Sequence, residues 1–141
     1  MQKIILLAAL LSFGLLSRCG KEDNKSPNIL TAKTWKRGIK DQNPSTNPPG
    51  DVRYSPVKDC EDDDLFTFNT KGQLIIKRGD HKCNPDEATK AILQYTINRK
   101  EQTLTINGIH YTLAEESKNQ IKFYTPIPTG SGVEYLIYLL Q

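Results

Sequence analysis

Apolar and polar residues alternate along most of the chain after residue 34, with the two-residue period of β-strands. One helical turn is predicted over residues 28–33. The alternation predicts eight short strands, at residues 35–40, 66–69, 74–77, 93–97, 103–106, 109–113, 121–123 and 133–140. The folded part of the chain is therefore predicted to be all-β.

Two tight turns predict the register of two hairpins. Residues 69–72 end in a glycine suited to a left-handed position, and residues 107–108 are an Asn-Gly pair that favours a two-residue turn. Pairing across these turns sets large apolar side chains opposite one another: Phe68 with Leu74, Phe66 with Ile76, Ile106 with Ile109, and Leu104 with Tyr111. One face of each hairpin is thus predicted to be buried.

Eight consecutive strands joined by local turns predict an antiparallel up-and-down barrel, and a two-sheet sandwich is the alternative. In a barrel, the long loops at residues 41–62, 78–91 and 126–132 share one end, which we predict to be a binding mouth. So many large inward groups favour a mostly filled interior over a deep cavity. The predicted inward side chains are Trp35, Ile39, Phe66, Phe68, Leu74, Ile76, Leu93, Tyr95, Ile97, Leu104, Ile106, Ile109, Tyr111, Leu113, Ile121, Phe123, Tyr135 and Ile137.

The N-terminal segment has a different pattern, with a positive charge at Lys3 and an uncharged apolar run over residues 4–16. A helix of that length spans about 20 Å, too short for a hydrocarbon core of about 30 Å. We therefore predict a secretory signal peptide at residues 1–18. A polar tether at residues 19–28 follows it, and residues 29–141 form the folded domain.

The signal peptide ends in Leu16-Ser17-Arg18-Cys19, which resembles the lipobox of bacterial lipoproteins. This resemblance implies cleavage before Cys19 and its lipidation, so that fatty acyl chains hold the protein on a membrane. Residues 20–23, Gly-Lys-Glu-Asp, resemble the export signal of some outer-membrane lipoproteins, although an ordinary solvated tether is the alternative. The resemblance implies an outer-membrane protein at the cell surface, or otherwise at the periplasmic face.

The length and the net charge of the chain limit the number of domains and the classes of binding partner. The 141 residues suit one domain. The 19 basic and 16 acidic residues give a net charge of +3, which becomes +1 without Lys3 and Arg18 of the signal peptide. So small a charge argues against binding to nucleic acid.

Two of the three cysteines, Cys60 and Cys83, remain once Cys19 is assigned to the lipid. An even pair in an exported chain predicts a disulfide bond rather than a thiol catalyst or a metal site. If the pairing of the first hairpin is extended to its open end, Cys60 lies one residue away from the position directly opposite Cys83. Closing this loop is expected to stabilise the fold by about 3 kcal/mol.

Several features in a fixed order carry a wider resemblance. They are residues 30–36 around the only tryptophan, residues 59–63, residues 66–69 with Gly72, Cys83, and residues 104–106. Together they resemble the lipocalin-like domains of bacterial lipoproteins, from Leu30 to the end of the sequence. The resemblance implies a small eight-stranded barrel and the binding of a ligand.

Five residues are candidate ligand contacts. Arg37, Tyr95 and Tyr111 share the inward parity, and Arg37 is either a counter-ion for an acidic ligand or an ordinary arginine at the rim. Arg53 and Tyr54 belong to the first long loop and are residue types favoured at binding hot spots. A solvated, variable loop is the alternative for that pair.

No catalytic site, cofactor or metal site is predicted. His81 and His110 are the only histidines, and neither neighbours a nucleophile in a recognised motif. The carboxylates in residues 59–64 and 80–87 match no calcium loop and are expected to be solvated. The last strand is apolar on both faces, so either residues 29–30 or a partner protein is expected to cover its outer side.

We therefore expect a non-enzymatic, membrane-anchored barrel that binds a small apolar or amphipathic molecule, or a glycan fragment, at its long-loop end. The alternative is an accessory subunit with a filled interior, whose loops recognise an extracytoplasmic protein partner. A pocket opening at the long-loop end favours the first function. A solid core with an exposed apolar patch favours the second.

Overall fold

The computed structural model describes residues 28–141. The predicted signal peptide, the lipidation of Cys19 and the tether before residue 28 lie outside these residues. None of the described residues forms a helix that is long and apolar enough to cross a membrane. The elements are two 3-10 helices, η1 (Ile29–Thr31) and η2 (Pro44–Thr46), and nine strands: β1 (Thr34–Trp35), β2 (Asp51–Tyr54), β3 (Leu65–Phe68), β4 (Gln73–Lys77), β5 (Lys90–Asn98), β6 (Thr103–Ile106), β7 (Ile109–Glu116), β8 (Ile121–Thr129) and β9 (Gly132–Leu140).

All nine strands form one sheet in the order β1-β3-β4-β5-β6-β7-β8-β9-β2. Neighbouring strands are antiparallel, except that β2 runs parallel to β9. The all-β prediction is confirmed, and the eight predicted strands occur in consecutive up-and-down order. The closed eight-stranded barrel is not confirmed, because the sheet is open and has β1 and β2 as its edges.

The sheet is open because a different segment pairs with most of the β9 edge that a closed barrel would join to the first strand. β2, which the sequence did not predict, occupies residues 134–137 of that edge. The first strand is also shorter than the predicted residues 35–40, because β1 has only two residues. Beyond β1, backbone hydrogen bonds of 2.9 Å join Lys36 to Gln141 and Gly38 to Leu139. An antiparallel β-bridge between Arg37 and Leu140 lies between these bonds, so the segment after β1 meets the end of β9 through a single bridge.

The structure confirms both predicted hairpin registers. All four predicted residue pairs are partners in the β3–β4 and β6–β7 ladders. Gly72 has a φ of 76°, and Asn107 and Gly108 have φ values of 50° and 82°. These are the left-handed conformations for which Gly and Asn are favoured in hairpin turns.

The predicted loop at residues 126–132 is wrong, because β8 and β9 continue through it to a two-residue turn. Pro126 and Pro128 favoured a loop, since proline cannot donate a hydrogen bond within a ladder. However, β7 pairs with β8 only as far as Tyr124. The prolines therefore lie where β9 is the one strand beside β8. On the side towards β7 no strand is paired there, so no backbone N–H donor is needed.

One face of the sheet packs around the core. Trp35, Leu104 and Ile121 are fully buried there, and Leu30 of η1 packs against them. The indole Nε1 of Trp35 donates a hydrogen bond of 2.9 Å to the carbonyl of Leu30, which holds η1 in place.

The end of the sheet at which η1 packs carries the turns after β3, β5 and β7 and is called the turn end. The opposite end, with residues 51–64 and 77–90, is called the loop end.

Four of the predicted inward positions are wrong. Tyr135 and Ile137 lie on the outer face of β9, because Tyr138 and Leu140 point to the interior and side chains alternate along a strand. Ile39 is 84% exposed, since the chain has left β9 after Gly38. Ile109 is 54% exposed at the loop end, where β7 has not yet met β8.

The predicted cover of the last strand by residues 29–30 is also wrong. Residues 38–47 lie over the outer face of β8 and β9 instead, where Ile137, Leu139 and Lys122 are buried. The ammonium of Lys122 forms three contacts with this segment: 2.8 Å to Asp41 Oδ2, 2.6 Å to Asn43 O and 2.7 Å to Asn47 Oδ1. The first long loop is therefore fixed to the sheet over this stretch.

Candidate functional site

The core face of the sheet surrounds an interior pocket with a volume of about 150 Å³. Seven strands, β3 to β9, contribute side chains to it, together with Arg37 from the segment after β1. Because β3 and β9 are distant in the ladder, the sheet must curl around this pocket. Apart from Arg37, the lining is apolar or aromatic: Phe66, Phe68, Leu74, Ile76, Leu93, Ile106, Tyr111, Phe123, Tyr138 and Leu140.

Three aromatic rings form one wall of the interior pocket. The ring of Tyr111 meets those of Phe123 and Tyr138 edge-on, with centroid distances of 5.1 and 5.7 Å, while Phe123 and Tyr138 stack at 5.3 Å. Edge-on and stacked arrangements are favourable for aromatic pairs, so the wall is well packed. Burial and the neighbouring Tyr138 raise the pKa of the Tyr111 hydroxyl, which keeps it neutral.

Arg37 is the one charged side chain among the described residues that line the pocket. Its Nη2 donates to the carbonyl and the hydroxyl of Ser55, at 3.3 and 3.0 Å. Its guanidinium carbon lies 5.5 Å from the ring centroid of Tyr138, and its Nε is buried without a hydrogen-bond partner. Burial lowers the pKa of Arg37, against an opposing effect of Glu61. The guanidinium thus has an unused donor beside an apolar pocket.

Only Arg37 and Tyr111 of the five predicted ligand contacts line the interior pocket. Tyr95 is buried nearer the turn end, where its hydroxyl donates to the carbonyl of Asn69 at 2.8 Å. Its ring meets Phe68 edge-on at 4.9 Å, and burial raises its pKa. The contacts of Tyr95 are those of a structural residue that fixes the β3–β4 turn.

Arg53 and Tyr54 lie on β2, outside the pocket. Arg53 is exposed and forms an ion pair of 3.1 Å with Glu134 of β9. The hydroxyl of Tyr54 donates to Asp41 and accepts from Asn47, both at 2.7 Å. Burial and Asp41 raise the pKa of Tyr54. Tyr54 also lines a surface groove of about 280 Å³, which begins at Gly38 and Ile39 and continues along residues 55–57.

The predicted disulfide bond between Cys60 and Cys83 is confirmed, with a Cα–Cα distance of 5.0 Å. It joins the two long loops at the loop end. Arg78 forms a second connection between them, because its guanidinium pairs with Asp64, which is fully buried, and with Glu87 at 2.8 Å. The loop end is therefore held by one covalent link and one ionic link.

Three residues at the loop end are close enough to share an ion. Asp62, Asp63 and His81 each offer a ligand atom, and these atoms lie within 4.8 Å of one another. A backbone hydrogen bond from Asp80 lowers the pKa of Asp63. Calcium prefers six to eight oxygen ligands, so two carboxylates and an imidazole fit it poorly. We assign no metal to this group.

The sequence pattern did not identify three residues near the pocket, Tyr138, Leu140 and Ser55. Both faces of the last strand are apolar, so the alternation could not tell which parity points inward. Ser55 lies in a long loop, whose path depends on contacts distant in sequence. The exception to the apolar pattern, a single arginine on an inward position, was the signal that identified Arg37.

The chain matches no protein family, no curated protein and no solved structure. The pocket itself contains no carboxylate, imidazole or thiol among its described lining residues. Its chemistry is that of an apolar cavity with one guanidinium and two phenol groups. Such a set can bind and orient a ligand through one polar contact.

Proposed function

We propose that the protein is a lipid-anchored binding protein with a lipocalin-like barrel, which takes a small amphipathic acid into its interior pocket. The observation that carries this proposal is the unpartnered Nε of Arg37 at the edge of a pocket that is otherwise apolar. A carboxylate would accept from this donor, while the apolar part of the ligand would contact the aromatic wall. Arginine is well suited to carboxylates, because its planar group can donate two parallel hydrogen bonds.

The volume of the pocket limits the ligand. An engineered apolar cavity of about 150 Å³ binds benzene, so the present pocket suits a group of about that size. A single aromatic ring or a short branched chain would fill it, and a long fatty acyl chain would not. The proposed ligands are therefore small aromatic or branched aliphatic acids.

The anchoring part of the proposal rests on the sequence. The run before Cys19 has the features of a lipoprotein signal, and residues 19–28 separate that cysteine from η1. Since η1 packs at the turn end, an anchored domain would have its loop end directed away from the membrane. We propose the outer membrane as the location, at the cell surface or at the periplasmic face.

Calorimetric titration of the mature protein with benzoate and with benzyl alcohol tests the binding site. We expect benzoate to bind and R37M to weaken its binding by about tenfold or more, because a charge-assisted hydrogen bond contributes about 1.5–3 kcal/mol. Binding of the alcohol should change little. R37K, which keeps the charge without the planar fork, should be intermediate.

The matched control is R53M, which removes an exposed arginine outside the pocket and should leave both affinities unchanged. Ile106→Phe, which narrows the pocket, should weaken both ligands. The proposal would be wrong if benzoate bound equally well to the wild type and R37M. It would also be wrong if small aromatic and branched acids left the titration flat.

One observation favours a second function, that of an accessory subunit. Ile39 is 84% exposed beside the surface groove that Tyr54 lines. Exposed apolar residues at a groove are a common feature of protein interfaces. A photo-crosslinking amino acid at position 39 in intact cells should give one adduct of defined mass if a partner binds there. The same amino acid at Lys77, which is exposed elsewhere, is the control.

A further inference from the structure

The two ends of the sheet carry opposite charge. At the loop end, residues 51–64, residues 77–90 and Glu134 contain ten carboxylates and six Lys or Arg. At the turn end, Arg99 and six lysines face four carboxylates, of which Asp41 is paired with Lys122 and Glu116 with Arg99. The described domain is nearly neutral as a whole, so its charge is separated rather than in excess.

The six lysines of the turn end are all exposed, and none forms an ion pair within residues 28–141. They come from the segments that follow η1 and β1, and from the turns after β3, β5 and β7. Backbone and side-chain bonds of Gln141 to residues 36, 40 and 120 place the segment after β1 at this end. The lysines are Lys33, Lys36, Lys40, Lys71, Lys100 and Lys118.

An apolar groove of about 270 Å³ lies among these lysines. Ile29 and Ala32 contribute its apolar surface above the buried Trp35, and Lys33 and Lys118 contribute its cations. The Lys33 ammonium lies 4.2 Å from the centroid of the Trp35 ring. An apolar surface with cations at its rim matches the boundary between the acyl chains and the phosphates of a membrane.

We propose that the turn end docks on a membrane that contains anionic phospholipids, with a lipid phosphate between Lys33 and Lys118. The inference rests on the proposed anchor for its geometry. The chain reaches this end at residue 28, and the eight residues between it and Cys19 let the two span at most about 30 Å. An anchored domain therefore meets lipid headgroups at high effective concentration, and its basic end is the one nearest to them. The acidic loop end would be repelled by the same surface.

The only tryptophan of the chain, Trp35, lines the groove and can report the approach of lipid. The lipidated protein is reconstituted in vesicles of phosphatidylcholine, with or without phosphatidylglycerol, each with or without a phospholipid that carries a nitroxide on its headgroup. The readout is the ratio of tryptophan emission without and with nitroxide. We expect stronger quenching with phosphatidylglycerol. It should be lost at about 1 M salt, where the screening length falls to about 3 Å.

The variant K33E/K118E should reduce the quenching to the value found with phosphatidylcholine alone. The ratio corrects for any effect of Lys33 on the emission of Trp35. The control K58E/K82E reverses two lysines of the loop end, and it should quench as the wild type does. Equal quenching in both kinds of vesicle, or no effect of K33E/K118E, would overturn the docking proposal.

Flotation of the same samples separates the docking from the anchor. Protein that floats with both kinds of vesicle, but is quenched equally in both, supports the anchor and contradicts the docking. Protein that floats only with phosphatidylglycerol, and not at high salt, supports the docking and contradicts the anchor. Protein that floats with neither contradicts both.

Discussion

Lys122 is the side chain whose setting departs most from its residue type. It is fully buried, and its ammonium has three acceptors within 2.8 Å, one of which is the carboxylate of Asp41. Burial alone would raise the pKa of Asp41, but hydrogen bonds from Lys122, Tyr54, the Asn43 backbone and Gln120 lower it to about 2. A buried charge that is paired and fully hydrogen-bonded can be kept at low cost.

Removing the counter-ion should be strongly destabilising. We expect D41N to lower the free energy of unfolding at pH 7 by about 3–5 kcal/mol, because Lys122 is left as an unpaired buried charge. Urea denaturation measures this change. The double variant D41N/K122M should lose less than the two single variants together. K118M, which removes an exposed lysine, is the control, and a D41N midpoint equal to that of K118M would contradict this interpretation.

The same carboxylate predicts a loss of stability in acid. Asp41 has a folded pKa of about 2, below its ordinary value of 3.8, so the unfolded chain binds its proton more tightly. The stability from Asp41 is therefore present above about pH 4 and is lost as the pH falls through 2. Urea midpoints measured from pH 5 to pH 2 should fall more steeply in the wild type than in D41N. Parallel slopes would show that Asp41 is not the group responsible.

At the scale of elements, the hairpins could be predicted and the pairing of distant segments could not. The turns at residues 69–72 and 107–108 determine their registers locally, through backbone conformations that their own residues favour. β2 gave no such signal, because all four of its residues are exposed and it pairs with residues 134–137, some 80 positions away. Its position follows from the loop contacts around Asp41.

The disulfide bond is the connection between elements with the clearest expected effect. Replacing both cysteines, in C60S/C83S, should lower the free energy of unfolding by about 3 kcal/mol, since the unfolded chain gains the freedom of the opened loop. Urea denaturation monitored by circular dichroism measures the change. C60S alone breaks the same bond and should give the same loss. An unchanged midpoint on reduction would contradict this expectation.

For the whole molecule, the order of the eight predicted strands was correct, but their closure was not confirmed. Alternation and turn chemistry are local, and they specify which strands neighbour each other along the chain. Closure depends on whether the first strand pairs with the free side of the last strand, and β2 pairs with most of that side of β9 instead. The interior was likewise predictable as mostly filled. The position of the remaining pocket depends on which face of β9 turns inward.

The core cluster extends from η1 through β9, so the described domain should unfold as one unit. We expect the emission of Trp35, at the turn end, and the far-ultraviolet circular dichroism of the sheet to give coincident urea transitions. The C60S/C83S variant should keep this coincidence at a lower midpoint. Two separated transitions would show that the loop end unfolds independently of the core.

The prolines of β8 have a consequence for how the domain meets other polypeptides. Pro126 and Pro128 are exposed on the stretch of β8 that β7 leaves unpaired, where another polypeptide would otherwise find backbone N–H donors. A strand added there would lack a partner at every second position. We therefore expect the two pyrrolidine rings to hinder edge-to-edge pairing between copies of the domain.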